Sequence, residues 1–462
     1  MKRYLFFLAA AALSFKVALM AAPGGAYISN NSGSDVSVIN STTNVVDATV
    51  PTQAAPQFMA VTSDQSKVYV TNSGDNSLSV IDINTDTNIG TIPLGIPPFF
   101  LVVTSDGSKV FVAGATSTDI AAVDTASSVV TLINIGVGTN VEYLAVTPDG
   151  TKVYAASQTT DEVIVIDASS LTVITTIPTG LATGPRYPVV TPDGSKVYVS
   201  NSTGAGVSVI DTLTDTLLTT ITVNIGNSPF IIGITPDGTQ AYVANIADGT
   251  VSVIDTATDT VTDVVIVGST PFFLSVLTDG SKVYVPNNGD GTVSVIDTSS
   301  NTVVATVGVG NSPITTASSR DASKVYVTNQ SDATVSVIAT LSDTVLATVS
   351  VGFGPLFVVT AGSSTPPPPP QVNVFGLQEQ NGFLLQVEYF NKITWNAPTS
   401  ITPLYYIVYR DASLTNVAGT VPAGSTTLVF EDHNRKKNTA YSYYIVAVTA
   451  SDSFLIGNVT IE

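Results

Sequence analysis

"SKVYVTNSGDNSLSVIDINTDT", Ser66 to Thr87, decides the architecture of this chain, because the chain writes it many times. "SKVFVAGATSTDIAAVDTASS" begins at Ser108, and "SKVYVTNQSDATVSVIATLSD" begins at Ser323. The aromatic of the central triplet falls at Tyr27, Tyr69, Phe111, Tyr154, Tyr198, Tyr242, Tyr284 and Tyr326, at intervals of 42 to 44 residues. A period of that size marks a supersecondary unit that buries its apolar faces against its neighbours.

Each unit parses into four short strands. In Pro98 to Gly136 the strands expected are 99–104, 109–113, 120–124 and 129–135, separated by Ser-Asp-Gly and Thr/Ser turns. Asp-Gly pairs supply the positive φ that tight hairpins need. Val-Tyr-Val and Val-Ile are continuously apolar, so these strands should be covered on both faces. Four antiparallel strands per roughly 40 residues is the signature of a β-propeller blade.

The ends supply a second argument. Tyr27 lacks the innermost strand that precedes every other anchor, and "GFGPLFVVTAG", Gly352 to Gly362, is that strand without a blade of its own. Leu356–Thr360 should therefore complete the first blade and close the ring, which removes the open sheet edges. The reading is all-β, a propeller of eight blades, with seven as the alternative if a terminal unit packs outside the ring.

Composition narrows the function. Apolar residues make up 44% of the 462 and charged residues 11%. Residues 27–360 hold 28 Asp/Glu against 8 Lys/Arg, a net −20, within a chain total of −19. Such a surface repels phosphate backbones, which excludes nucleic acid as the expected partner and favours solubility. The absence of cysteine excludes disulfides, Cys-ligated zinc and thiol nucleophiles. Lys2 and Arg3, an apolar run to Phe15 and small residues at Ala21 and Ala22 read as a secretory signal peptide, interrupted by Lys16. The run is too short to span a bilayer. The domain reading is signal peptide 1–22, propeller 23–361, proline-rich linker 362–371 ("SSTPPPPPQ") and a small β-sandwich 372–462.

"KVYVTNSGDNSLSVID" and "KVYVPNNGDGTVSVIDTSSNTVVATVGVG" resemble the YVTN-type β-propeller repeat of surface-layer and other exported prokaryotic proteins, over about Tyr27 to Thr360. The resemblance implies an extracellular scaffold, secreted or at the cell surface, with the periplasm as the alternative. In the tail, "KITWNAP", "YYIVYRD" and "NTAYSYYIVAV" resemble a fibronectin type III-like domain. Trp395 then matches its core Trp and Tyr441 its tyrosine corner, whereas Arg435 stands where that family carries Leu.

No catalytic constellation is legible. His433 is the sole histidine and lies in the tail, so neither a Ser–His–Asp triad nor a multi-His metal site can form in the propeller. Asp82, Asp124, Asp167, Asp211, Asp255 and Asp297 end the third strand of successive units and read as turn-stabilising groups. Asn30, Asn72, Asn201, Asn245, Asn287 and Asn329 head Gly/Asp-rich loops; they read as Asx-type turns, with weak Ca²⁺ ligation as the competing reading. No other cofactor is expected.

Six residues before the turn Asp come Phe58, Phe100, Tyr143, Tyr187 and Phe273, with Phe357 at the same place in the closing strand and Ile231 and Thr315 breaking the set. Interblade packing accounts for them, and stacking on sugars is the alternative. Glu142 and Arg186 are the charged side chains in the loops between blades. With Tyr143 and Tyr187 they form the candidate ligand patch, in an exported, non-enzymatic protein that binds a protein or glycan. The alternative is a propeller enzyme of lactonase or lyase type using an oxygen-ligated divalent metal.

Overall fold

The computed structural model describes residues 24–114, 116–136 and 140–362, and in the tail 374–383, 386–396, 405–410, 417–422, 427–432, 441–448 and 453–461. The expected signal peptide, most of the linker, His433 and Arg435 lie outside the described residues. The chain divides into two compact units, Met1–Ser364 and Thr365–Glu462.

The first unit is a propeller of eight four-stranded antiparallel sheets, so the seven-blade alternative is discarded. Blade 1 is composite: Pro355–Gly362 is its innermost strand, and Gly24–Asn30, Asp35–Asn40 and Val46–Pro51 complete it. The closing pairs run from Gly24↔Gly362 to Asn30↔Pro355, which joins the two ends of the ring as the sequence predicted. The inner strands of blades 2 to 8 are Pro56–Val61, Leu101–Val103, Val141–Val146, Pro185–Val190, Pro229–Ile234, Ser275–Val276 and Pro313–Ser318. The only helix among the described residues is one turn, Gln330–Asp332.

Burial follows the apolar runs. Second strands such as Lys67–Asn72 are buried from their second residue onward, whereas outermost strands such as Thr87–Pro93 alternate between covered and exposed positions. All eight anchor aromatics are essentially inaccessible. Most of them also tie one blade to the next. Tyr154 Oη donates to Asp215 at 2.7 Å, and Lys152 Nζ meets the same carboxylate at 2.7 Å. Tyr198 and Lys196 hold Asp259, while Tyr284 and Lys282 hold Asp343. Tyr242 donates to Asn301 at 2.7 Å. The acceptors sit at φ between +50° and +55°, in the left-handed position of the next blade's outer turn, where Asp and Asn are tolerated.

The latch between blades 1 and 2 lacks its cation: Tyr27 donates to Asp86, but Gly25 stands where the repeat carries Lys. Desolvation, with Asp47 and Asp82 nearby, raises the Asp86 carboxyl above the ordinary range despite the Tyr27 bond. A raised folded-state value means that the ionised form opposes folding above pH about 4, and that this cost fades as the pH falls and the group protonates in both states. Asp86→Asn keeps an acceptor for Tyr27, as Asn301 does for Tyr242. It should raise stability at pH 7 by about 0.5 kcal/mol, a partly screened interaction, with the gain vanishing below pH about 4. Urea titrations at pH 7 and 3.5 check this; equal gains at both pH values would refute it.

The second unit contains a three-stranded sheet and a four-stranded sheet. The first pairs Val374–Phe383, Gln386–Asn396 and Thr427–Asp432; the second orders Val417–Pro422, Tyr405–Tyr409, Tyr441–Val448 and Ser453–Ile461.

Candidate functional site

The axis of the ring is built by an irregularity repeated in the inner strands. In blade 2 Pro56 pairs with Asn72 and Met59 with Val70, so three steps on one strand face two on the other. The same register shift occurs at Val141/Leu144, Pro185/Pro188, Pro229/Ile232 and Pro313/Thr316. A bulge of this kind inserts an extra residue and re-aims side chains. A hydroxyl at the end of the second strand holds it. Thr71 Oγ1 accepts the Phe58 amide at 3.0 Å and donates to the Phe99 carbonyl of the next blade at 2.9 Å. Ser29 and Thr328 repeat that arrangement at blades 1 and 8.

Residues in the inner strands, or directly before them in blades 3 and 7, join one apolar cluster. Phe58 has its ring 4.9 Å from Phe99, 5.2 Å from Phe100, 6.1 Å from Tyr143, 5.9 Å from Phe273 and 5.0 Å from Phe357. Tyr143 also meets Phe230 at 5.7 Å, and Phe273 meets Phe272 at 5.3 Å. The aromatics expected near one mouth of the ring thus pack against one another across its centre. Sequence reasoning missed Phe99, Phe230 and Phe272. Counting six residues back from the turn Asp selects Ile231 in blade 6, but the bulge lets Phe230 supply the ring. The signal was present in the recurring "P-x-F" and "PFF" spellings.

The four patch residues behave as two pairs. Glu142 and Arg186 lie within inner strands, not in interblade loops as expected, because the strands begin at Val141 and Pro185. Arg186 Nε donates to Glu142 Oε2 at 3.0 Å, and its Nη2 lies 2.9 Å from the same oxygen. The guanidinium carbon stands 4.3 Å from the Phe230 ring centroid. Both side chains keep some access, 31% for Arg186 and 17% for Glu142. Tyr143 is buried, with its hydroxyl well above the ordinary phenol value through desolvation, so it is part of the packing and not of a surface patch. Tyr187 is partly covered and packs on Tyr143 at 5.2 Å, and burial pushes its hydroxyl up to about 12. In the bulge of blade 2, Gln57 has a buried Oε1 with no hydrogen-bond partner among the described residues.

The repeated asparagines do not form the turns expected of them. They are not Asx turns but buried crossbars: Asn72 Nδ2 donates to Ser77 and Ser79, and Asn287 Nδ2 to Thr292 and Ser294, across their hairpins. Glycines lie directly on Asn30, Asn245, Asn287 and Asn329; a Cβ on Gly268 would fall 2.6 Å from Asn287 Cγ. The loop aspartates accept amides of the preceding interblade loop, as Asp248 does from Asn227 at 2.6 Å and Asp290 from Ser269 at 2.6 Å. These backbone bonds hold Asp161, Asp248, Asp290 and Asp332 below the usual carboxylate range. A calcium ion would have to compete with those donors. The strand-ending aspartates behave as read, each accepting from turn amides, for example Asp211 from Thr214 at 2.8 Å. Among the described residues no group of three His, Cys, Asp or Glu side chains is placed to hold a metal, and no helix is long and apolar enough to cross a membrane.

Comparison with known proteins agrees with this geometry. The family model for YNCE-like beta-propellers matches residues 7–313. None of the curated proteins matches. Among solved structures the chain is similar to dihydro-heme d1 dehydrogenase NirN in complex with DHE, at 15% identity and TM-score 0.64, covering 73% of this chain and 75% of that one. Apo AztD from Citrobacter koseri aligns at 15% identity and TM-score 0.59, covering 74% and 98%. A functionally unknown protein from Desulfotomaculum acetoxidans aligns at 20% and 0.51, covering 64% and 98%. At such identities the likeness is one of fold.

Proposed function

The chain belongs to the YNCE-like β-propeller family, and from that premise we propose that it is an exported, non-enzymatic scaffold that binds a protein or glycan through one mouth of its ring. The observation that carries this reading is the arrangement of Arg186, Glu142 and Phe230 above a centre filled by aromatic side chains. A filled centre gives a ligand a rigid floor, not an interior chamber. Arg186 is pre-oriented by a carboxylate on one side and a ring face on the other, and is still partly open to solvent. Preorganised Arg and aromatic groups are the side chains on which recognition surfaces most depend.

Export rests on the signal-peptide pattern of residues 1–22, and the acidic ring suits a soluble surface protein. The second unit reads as a fibronectin type III-like spacer or docking module. Supporting this, its first, second and fifth strands share one sheet and the other four share the second, with Trp395 paired between Val374 and Leu428.

The test is a glycan array and a pull-down from cell-surface extracts using residues 23–462. A discrete ligand should be retained, and Arg186→Ala should weaken its capture at least tenfold, about 1.4 kcal/mol. Unchanged capture by Glu142→Ala/Arg186→Ala would remove the patch. A stoichiometric bound metal together with hydrolysis abolished by chelation would replace the binding reading with the enzymatic one.

A further inference from the structure

The interblade latch keeps its cation and loses its Asp or Asn acceptor at two junctions: blades 2 to 3, where Ser128 takes the left-handed turn position beside Lys67 and Tyr69, and blades 3 to 4, where an apolar residue takes it. Between blades 3 and 4, Leu171 occupies the left-handed turn position held by Asp215, Asp259 and Asp343 elsewhere, at φ +58°. Phe111 replaces the partner tyrosine. The two substitutions match, since a ring without a hydroxyl and a side chain without an acceptor belong to one apolar cluster. Lys109 remains in the place of Lys152, Lys196 and Lys282, each of which pairs with a carboxylate at 2.7–2.8 Å. Lys109 makes no such contact among the described residues.

A cavity of about 310 Å³ opens at this spot, lined by Lys109, Asp124, Ser127, Val129, Thr131 and Leu171 among others. Asp124 does not consume the lysine. It lies opposite Lys109 across the strand pair, as Asp167 lies opposite Lys152, and Lys152 still binds both Asp215 and the Thr212 carbonyl. Asp124 is itself engaged by the Ser127 amide and hydroxyl at 2.8 and 2.7 Å. The chain's own repeats therefore show what this position accepts, and here the internal carboxylate is missing.

We propose that the cavity between blades 3 and 4 binds an aliphatic carboxylate, its charged end on Lys109 Nζ and its apolar body against Leu171 and Val129. The volume lies at the lower end of the small-molecule range of roughly 300–1,000 Å³. The ligand's source is either a free short-chain acid or a peptide C-terminus ending in an aliphatic residue.

The test is saturation-transfer NMR and calorimetry on the full chain, with butanoate and with butan-1-ol. Saturable binding of butanoate and none of the alcohol is expected. Lys109→Met should weaken butanoate at least tenfold, while Arg320→Met, at an exposed cation of blade 8, should leave it unchanged. Phe111→Tyr/Leu171→Asp rebuilds the latch; it should abolish binding and raise the unfolding midpoint by relieving a bulky left-handed residue. N-acetyl-Gly-Leu binding tenfold tighter than butanoate would identify a peptide terminus, and equal binding a free acid; both uphold carboxylate recognition. Absence of saturable binding, an unaffected Lys109→Met variant or an equal loss in Arg320→Met would overturn the proposal.

Discussion

Phe58→Ala is expected to lower the unfolding free energy by about 3–5 kcal/mol. Phe58 is 4% exposed and meets rings from blades 1, 3, 4 and 7, so truncation removes contacts in several directions at once. The residues around it are anchored to separate sheets, each fixed by its own ladder. They cannot collapse into the void as a loop would, and a cavity that cannot relax carries the larger penalty. Urea denaturation of the variant measures the loss through a lower midpoint at constant slope. Phe58→Leu, which keeps most of the volume, should lose less than half as much. A deficit below about 1 kcal/mol, the scale of an ordinary substitution, would show that the aromatic centre does not hold the ring.

The second large effect is expected at the latch between blades 5 and 6. Asp259 accepts from Lys196 at 2.9 and 2.8 Å on its two oxygens, and also from Tyr198. Asp259→Ala leaves Lys196 with only the Thr256 carbonyl at 2.8 Å. Removing one member of a buried pair costs about 3–5 kcal/mol, because the other charge stays desolvated. These side chains are 21% and 17% exposed, so solvent moderates the loss to about 2–3 kcal/mol. Lys196→Met/Asp259→Ala should recover at least half of it, since an apolar replacement of both partners leaves nothing unpaired. A double-mutant cycle by urea titration reads the coupling directly. Additive single losses would mean that the ion pair does not join the blades.

Much of the fold was legible because a repeat multiplies weak signals. One stretch of alternating Ser, Val and Asp is ambiguous; eight copies with one period establish the blade, its turns and its count. Leu356–Thr360 was recognisable as the missing inner strand because the first unit lacked one. The site was less legible. Glu142 and Arg186 stood out as charges where the repeat is apolar, and the structure brings them within hydrogen-bonding distance. That Phe230 lies against Arg186 was not read, because a bulge breaks the two-residue alternation from which side-chain direction is inferred. The buried asparagines were misread because their partners are hydroxyls five and seven residues on, brought alongside only when the hairpin pairs.

By itself, then, the sequence determined the architecture: four-stranded units, a closed ring, an acidic surface and a separate β-rich tail. These follow from periodicity and composition, which are local and additive properties of the chain. Only the tertiary structure decided which residues meet. The Tyr–Lys–Asp latches join residues about 60 positions apart on successive blades. The aromatic centre gathers rings from Phe58 to Phe357. The lone Lys109 becomes notable only beside Leu171. Contacts of that kind depend on how the closed ring sets successive blades against one another and on the direction a bulge gives to each side chain, and the repeat pattern specifies neither.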